Sequence, residues 1–402
     1  MYRLLLVTLL LLPCACDDAT PAADASSDAR AADGAVEAAL ADADASDGLD
    51  VDADATAGDG TIDAPPAPDA GPWTTPTCTQ ITGMAGVTFS SDEGQTLTPT
   101  AGMLSGVAYT MGIVALARGN TLVAQHGDAL WRSVDSGCTW RELGKSGLLE
   151  LAASGDVTYG WGDNRDELWR IDGSTPTKLT SPTPNIHGLG VDRQNPKRLR
   201  IGADGGVIYE STDGGASFSQ LLIKKGDVPS VLNYRVAFDP ADLDHLAYGV
   251  ANDGLIVSSD GGKSWTKATG LTTSARANIF SVAFSPAQSN VVWAMGLDPT
   301  ELNAKRKIFR SIDGGKTFVK VVDEAGTIPM SNGTELWPHP QNPDLLYFAH
   351  GSKFSGARLM RYDHSSGMVT STTNTFHGID ALAFNPSNPS LLYIGLDWKD
   401  FL

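Results

Sequence analysis

Aromatic residues are missing altogether between Asp17 and Ala70, and large aliphatic ones are nearly so. A stretch made mostly of Ala, Asp, Gly, Ser, Thr and Pro cannot bury enough apolar surface to offset the entropy of ordering its backbone, which excludes a folded core there. Apolar runs are equally scarce. The one run of note, Leu4 to Leu12, falls short of the roughly 20 residues that a bilayer-spanning helix needs, and no other segment competes with it. Basic residues are outnumbered, 29 Lys and Arg against 47 Asp and Glu, and form no stripe, which argues against nucleic acid as a partner. Cysteine is nearly absent, with four in 402 residues.

What is present divides the chain into three. Residues 1–16 carry one positive charge at Arg3, the apolar run, and small residues around Cys14 to Cys16, the anatomy of a secretory signal. Its end resembles a bacterial lipobox, in which a small residue precedes a cysteine that becomes the acylated first residue. Cys16, preceded by Ala15, fits, although Pro13 stands where a leucine is usual; Cys14 follows Pro13 directly, a poor cleavage context. The expectation is an exported, lipid-anchored protein facing the periplasm or cell exterior, touching a membrane only through Cys16. An ordinary signal cut after Ala15 or later is the alternative. Residues 17–72 read as a disordered acidic stalk. Residues 17–70 hold fourteen Asp, one Glu and one Arg, net −14 of the chain's −18, so the folded domain's ligand cannot be inferred from the acidity. As a flexible coil the stalk would span roughly 40 Å, a spacer for the domain it carries. With Cys14 and Cys16 in the signal, Cys78 and Cys138 are the one pair left, and an oxidising compartment would join them.

Residues 73–402 form the third part, and within it residues 86–402 carry a repeat. Its good copies are SSDEGQTL from Ser90, SVDSGCTW from Ser133, STDGGASF from Ser211, SSDGGKSW from Ser258 and SIDGGKTF from Ser311; weaker ones surround Asp172 and Asp363. The aspartates Asp92, Asp135, Asp172, Asp213, Asp260, Asp313 and Asp363 are 37 to 53 residues apart, the length of a four-stranded propeller blade. The aspartate can accept N–H bonds within its own turn, the glycine two residues on can take positive φ, and the closing aromatic can plug a gap between blades. These are structural parts, since one carboxylate per blade around a rim cannot converge on a metal or substrate. Upstream of the boxes run pairs of short apolar strands about Pro/Asn turns, as in VAFDPADLDHLAYGV, so one blade reads as strands at 234–238, 245–250, 254–258 and 265–269. The chain ends with two such strands and the repeat opens with a third (87–90). The expected fold is therefore all-β, a seven-bladed propeller whose last blade is closed by N- and C-terminal strands.

The aspartate turns together with the upstream Pro/Asn turns resemble the BNR or Asp-box superfamily, which includes sortilin-like propellers, sialidases, xyloglucanase-type glycoside hydrolases and photosystem II assembly factors. The resemblance covers about residues 85–402 and implies fold far more than function. The Arg-Ile-Pro motif of the sialidases is absent, and xyloglucanase-type enzymes usually join two propellers where this chain has repeats for one. Asp163, Asp166, Asp298 and Asp380 could supply a carboxylate pair, but no spacing singles one out. The reading is a binding or scaffold module for a protein or glycan, with a glycoside hydrolase, or an assembly or protease-regulating propeller, as alternatives. It needs no cofactor, no metal and no catalytic residue. The ligand is expected on the loop face opposite the aspartate turns, at Asn164, Arg165, Asp166 and Trp398. His126, His187, His350 and His377 lie in or beside those loops without metal-ligand spacing.

Overall fold

The computed structural model describes residues 72–399 apart from 80, 85, 99–106, 163–166, 222–232, 273–275, 331–334, 353–355 and 375–377. The described elements are almost entirely β-strands, with a single 3-10 turn at Asp204–Gly206. Five separate four-stranded antiparallel sheets follow one another: blade I (150–178), II (188–220), III (233–267), IV (278–323) and V (337–374). In blade III the strands are Asn233–Phe238, Leu246–Val250, Gly254–Ser258 and Thr266–Lys267, close to the ranges read from the repeat.

The expectation of seven blades is overturned: the propeller has five. The remaining strands form one continuous seven-stranded sheet, comprising Val87–Ser90, Gly378–Phe384, Leu392–Lys399, Val107–Ala115, Leu122–His126, Ala129–Ser133 and Arg141–Lys145. The cause is strand length. Leu392–Lys399 pairs with Val87–Ser90 and Gly378–Phe384, then runs on so that Asp397–Lys399 also pairs with Val107–Tyr109. A main-chain ladder thus stands where the repeat predicts a side-chain interface between two blades.

Buried clusters lie between successive sheets. Leu168 and Leu199 join blades I and II, Ile208 and Tyr248 join II and III, Leu255 and Ile279 join III and IV, and Ile308 and Leu346 join IV and V. Leu359 and Leu392 join blade V to the seven-stranded sheet, and Leu130 and Ile171 join that sheet to blade I. The alternation of strand side chains produces this arrangement, one apolar set for each neighbouring sheet.

The five good aspartate repeats form one hydrogen-bonded turn. In blade III the Ser258 hydroxyl donates to Asp260 Oδ1 at 2.8 Å and accepts the Gly262 N–H at 2.8 Å. Asp260 then accepts the Ser264 N–H at 2.9 Å and the Ser264 hydroxyl at 2.6 Å. Asp92, Asp135, Asp213 and Asp313 repeat the pattern. Asp363 keeps a shorter version, accepting from Ser365, whereas Asp172 pairs with Arg170 at 2.8 Å. Each turn is clipped to the turn between the first two strands of its sheet: Gly261 N–H donates to Asp244 O, and Gly314 N–H to Asn290 O, both at 2.9 Å. The clip needs positive φ, 75° at Gly261, so glycine fits there without Cβ strain. Both sets of turns therefore share one face.

Ahead of the first strands, residues 72–84 cross the aspartate turn at 133–140. The Trp73 indole donates to Leu116 O at 3.2 Å, Ser136 donates to Thr74 O at 2.7 Å, and a disulfide joins Cys78 to Cys138.

Candidate functional site

The first strands of the blades pack beside one another around the middle of the molecule. Small residues on them, Ala152, Gly190, Ala237 and Ala283, line a cavity of about 260 Å³. At the end away from the aspartate turns, four first strands lose one residue from the ladder, at Met111, Tyr234, Phe280 and Asp380. The irregularities fall at one level, opposite the fourth residue of each second strand: Gln125, Gly249, Met295 and Gly395. β-Bulges re-aim side chains and gather at functional rims. Backbone beside two of them crowds a glycine of a neighbouring strand: a Cβ on Gly249 of blade III would lie 2.5 Å from Ile279 O of blade IV, and one on Gly395 would lie 2.6 Å from Thr110 O within the seven-stranded sheet.

Beside the bulge of blade III, Arg235 enters the mouth of the channel. Its Nη2 contacts Glu150 Oε2 of blade I at 2.7 Å and its Nη1 contacts Glu335 Oε1, just ahead of blade V, at 2.6 Å. All three side chains are less than a third exposed. Burial works against the Arg235 charge, but Glu150 and Glu335 outweigh it and raise its pKa. Burial pushes the Glu335 carboxyl up to about 7; Arg235 pulls it down, but Glu150 shares that guanidinium and its negative charge pushes Glu335 up again. The trio is a clasp that spans the channel and carries one excess carboxylate. Both carboxylates are engaged with arginine, so they do not form a free acid–base pair.

Of the expected ligand residues, Asn164, Arg165 and Asp166 lie outside the described residues. Trp398 sits in the strand Leu392–Lys399, where its backbone pairs with Ala108; its side chain lies outside the described set. Cys16 and His377 do so as well, as does Asp163. The other histidines are dispersed. His126 Nδ1 is 2.8 Å from the Thr110 hydroxyl, His187 Nε2 is 2.6 Å from Asp204 Oδ1, and burial lowers the His350 pKa. Among the described residues no group of three His, Cys, Asp or Glu side chains could hold a metal ion. Asp298 is buried and accepts the N–H and hydroxyl of Thr300, at 2.9 and 2.6 Å, as a turn cap. Sequence reasoning missed the clasp because its members are 85 and 100 positions apart. The available signal was a charged residue within the apolar first strand NYRVAF, with one glutamate opening another first strand and one just ahead of a third.

Comparison with known proteins sets this site in context. Residues 190–388 match the family model described as sortilin, neurotensin receptor 3. The dispase autolysis-inducing protein of Streptomyces mobaraensis is 42% identical over 337 residues, covering 81% of this chain and 90% of the relative. An oligoxyloglucan-reducing end-specific xyloglucanase of Emericella nidulans is 30% identical over 166 residues, only 40% of this chain and 20% of that enzyme. Among solved structures, the GH74 enzyme of Niastella koreensis superposes with a TM-score of 0.54 at 16% identity, over 73% of this chain and 52% of that one. YCF48 of Cyanidioschyzon merolae gives 0.51 at 13% identity, over 73% and 97%. At such identities the two structures speak to fold alone.

Proposed function

The chain belongs to the family of the dispase autolysis-inducing protein and is a β-propeller of sortilin-like type, and from that premise we propose that it is an exported, non-catalytic propeller that binds a proteolytic enzyme and promotes its self-cleavage. The observation that carries this reading is identity of 42% sustained over 90% of the relative. The channel mouth supports it. Glu150 and Glu335 are both tied to Arg235, an arrangement suited to meeting a partner's polar groups and poorly suited to the acid and nucleophile roles of glycoside hydrolysis. We place the partner on this mouth, opposite the aspartate turns, and keep Asn164, Arg165, Asp166 and Trp398 as the residues proposed to meet it. Cys16 is the proposed lipid attachment, which Cys16→Ala would abolish.

The test is direct. Dispase is incubated with and without a stoichiometric amount of the mature protein, intact enzyme is followed on denaturing gels, and residual activity is followed on a small peptide. Faster loss of intact dispase supports the proposal. Unchanged autolysis, or turnover of xyloglucan oligosaccharides by the propeller itself, overturns it.

A further inference from the structure

Four arginines stand at the same place in their sheets, near the end of the third strand: Arg132, Arg170, Arg310 and Arg361. Strand alternation points each toward the next sheet, on the side of the apolar residue two positions earlier, Leu130, Leu168, Ile308 and Leu359. There each should find a carboxylate. Arg310 reaches Asp344 of blade V at 2.7 Å, and Arg361 reaches Glu93 of the seven-stranded sheet at 2.8 Å. Arg170 turns back to Asp172 at 2.8 Å.

Arg132 differs. The carboxylate of the neighbouring sheet, Asp156 in the first turn of blade I, is taken by Arg118, through Nε at 3.4 Å and the backbone N–H at 2.6 Å. Arg132 is half-buried; its Nε, like those of Arg170, Arg310 and Arg361, is shut off from solvent without a hydrogen-bond partner, but unlike them its guanidinium makes no ion pair among the described residues. Its register partner on the fourth strand is Arg141, a like charge directly opposite, an arrangement that is destabilising unless something neutralises it. Burial, followed by the charges of Arg118 and Arg141, lowers the Arg132 pKa. Arg118 and Arg141 thus act on Arg132 as like charges, and the one carboxylate that acts on it, Asp156, is already paired with Arg118, which leaves an excess of positive charge on the aspartate-turn side, remote from the clasp.

We infer that Arg132, with Arg141 and Arg118, forms a binding site for a doubly charged tetrahedral oxyanion, a phosphate or sulfate group. A dianion matches the charge imbalance, and the planar donor fork of Arg132 suits bidentate contact with such a group. The group can arrive as a free ion or as an ester on a larger ligand. The site does not depend on the proposed partner.

Calorimetric titration of the full chain, disulfide intact, with inorganic phosphate and with sulfate at chloride-balanced ionic strength tests the inference. One saturable site and a matching rise in melting temperature are expected. Arg132→Gln should weaken binding about tenfold or more without lowering the anion-free melting temperature, because Arg132 has no ion pair to lose. Asp156→Asn should tighten binding, since it removes the competing carboxylate; a purely structural cluster would not respond in this way. Arg132→Lys, which keeps the charge without the fork, serves if the glutamine variant fails to fold, and should bind more weakly than the parent. A sulfated monosaccharide that binds more tightly than inorganic sulfate assigns the site to an ester, and equal binding assigns it to the free ion. Absence of saturable binding, or binding undiminished in the Arg132 variants, overturns the inference.

Discussion

Arg235 holds Glu150 of blade I at 2.7 Å and Glu335 at the head of blade V at 2.6 Å, so one guanidinium from blade III ties together the far sides of the channel mouth. Burial pushes the Glu335 carboxyl up to about 7, and Arg235 does not bring it back down because Glu150 shares that guanidinium and its negative charge pushes Glu335 up further. The folded state then holds a proton that the unfolded chain, with a carboxyl near 4.5, releases earlier. The stabilisation is present below pH 4.5 and is lost as pH rises to about 7. Glu335→Gln should flatten this part of the stability profile, and chemical denaturation of both proteins at several pH values between 4 and 8 would show it. Parallel profiles would mean that Glu335 titrates normally.

The aspartate turns predict a different pH response. Burial pushes the Asp260 carboxyl up, but hydrogen bonds from Ser264 and Ser258 more than offset this and hold it below the usual carboxylate value. Asp92, Asp135 and Asp313 are shifted the same way by the same balance. Their contribution is present above pH 3.8 and lost as pH falls below it. Asp260→Ala should cost roughly 1–3 kcal/mol at neutral pH, because Ser264 N–H loses its acceptor, and the difference from the parent should shrink in acid. A melting series from pH 2 to 7 measures both effects.

How much of this was legible in the sequence depends on distance along the chain. The aspartate turns are closed within a few residues, and the strands of blade III follow from the short runs on either side of the turns at Asp239 and Asp260, so local pattern sufficed for both. The blade count was not legible. The spacing of the aspartates says nothing of how far the strand after Leu392 extends, and Asp397–Lys399 pairing with Val107–Tyr109 merges strands that the repeat assigns to different blades. For the clasp the sequence offers only an arginine inside the apolar strand NYRVAF, and nothing local ties it to Glu150 and Glu335, which meet it only when three sheets pack around one channel.

The disulfide fastens residues 72–84, which otherwise rest on the packing of Trp73, Ile81 and Met84 against the core and on a few hydrogen bonds. Cys78 and Cys138 are 60 residues apart, and a loop of that length contributes on the order of 4 kcal/mol in the chain-entropy model. Replacing both cysteines by serine should lower the melting temperature and make residues 72–84 more open to limited proteolysis, since the bond is the covalent tie of this segment to the turn at 133–140. Mass spectrometry of the first cleavage products would locate the cut. Initial cleavage elsewhere, at the parent's rate, would show that the segment is held without the bond.

His339 provides the last prediction, because it does with an imidazole what a carboxamide does in the equivalent turn. Its Nδ1 accepts the N–H groups of Gln341 and Asn342 at 3.2 and 3.0 Å, as Asn385 Oδ1 accepts those of Ser387 and Asn388 at 2.9 and 3.0 Å. Only neutral imidazole can accept there, and burial accordingly lowers the His339 pKa below 6.5. A histidine with a depressed folded pKa is protonated more readily in the unfolded chain, so its turn is intact above pH 6.5 and loses stability as pH falls through the folded value. His245 has the opposite tendency: burial lowers its pKa, but Asp239 and the Gly314 carbonyl raise it on balance, so its contribution is present below pH 6.5 and fades as pH rises above it. Substituting His339→Asn keeps the acceptor and removes the titration. The variant should match the parent above pH 7, exceed it in stability near pH 5, and leave the His245 trend visible. Equal stability of the two proteins at pH 5 would show that protonating His339 does not open the turn.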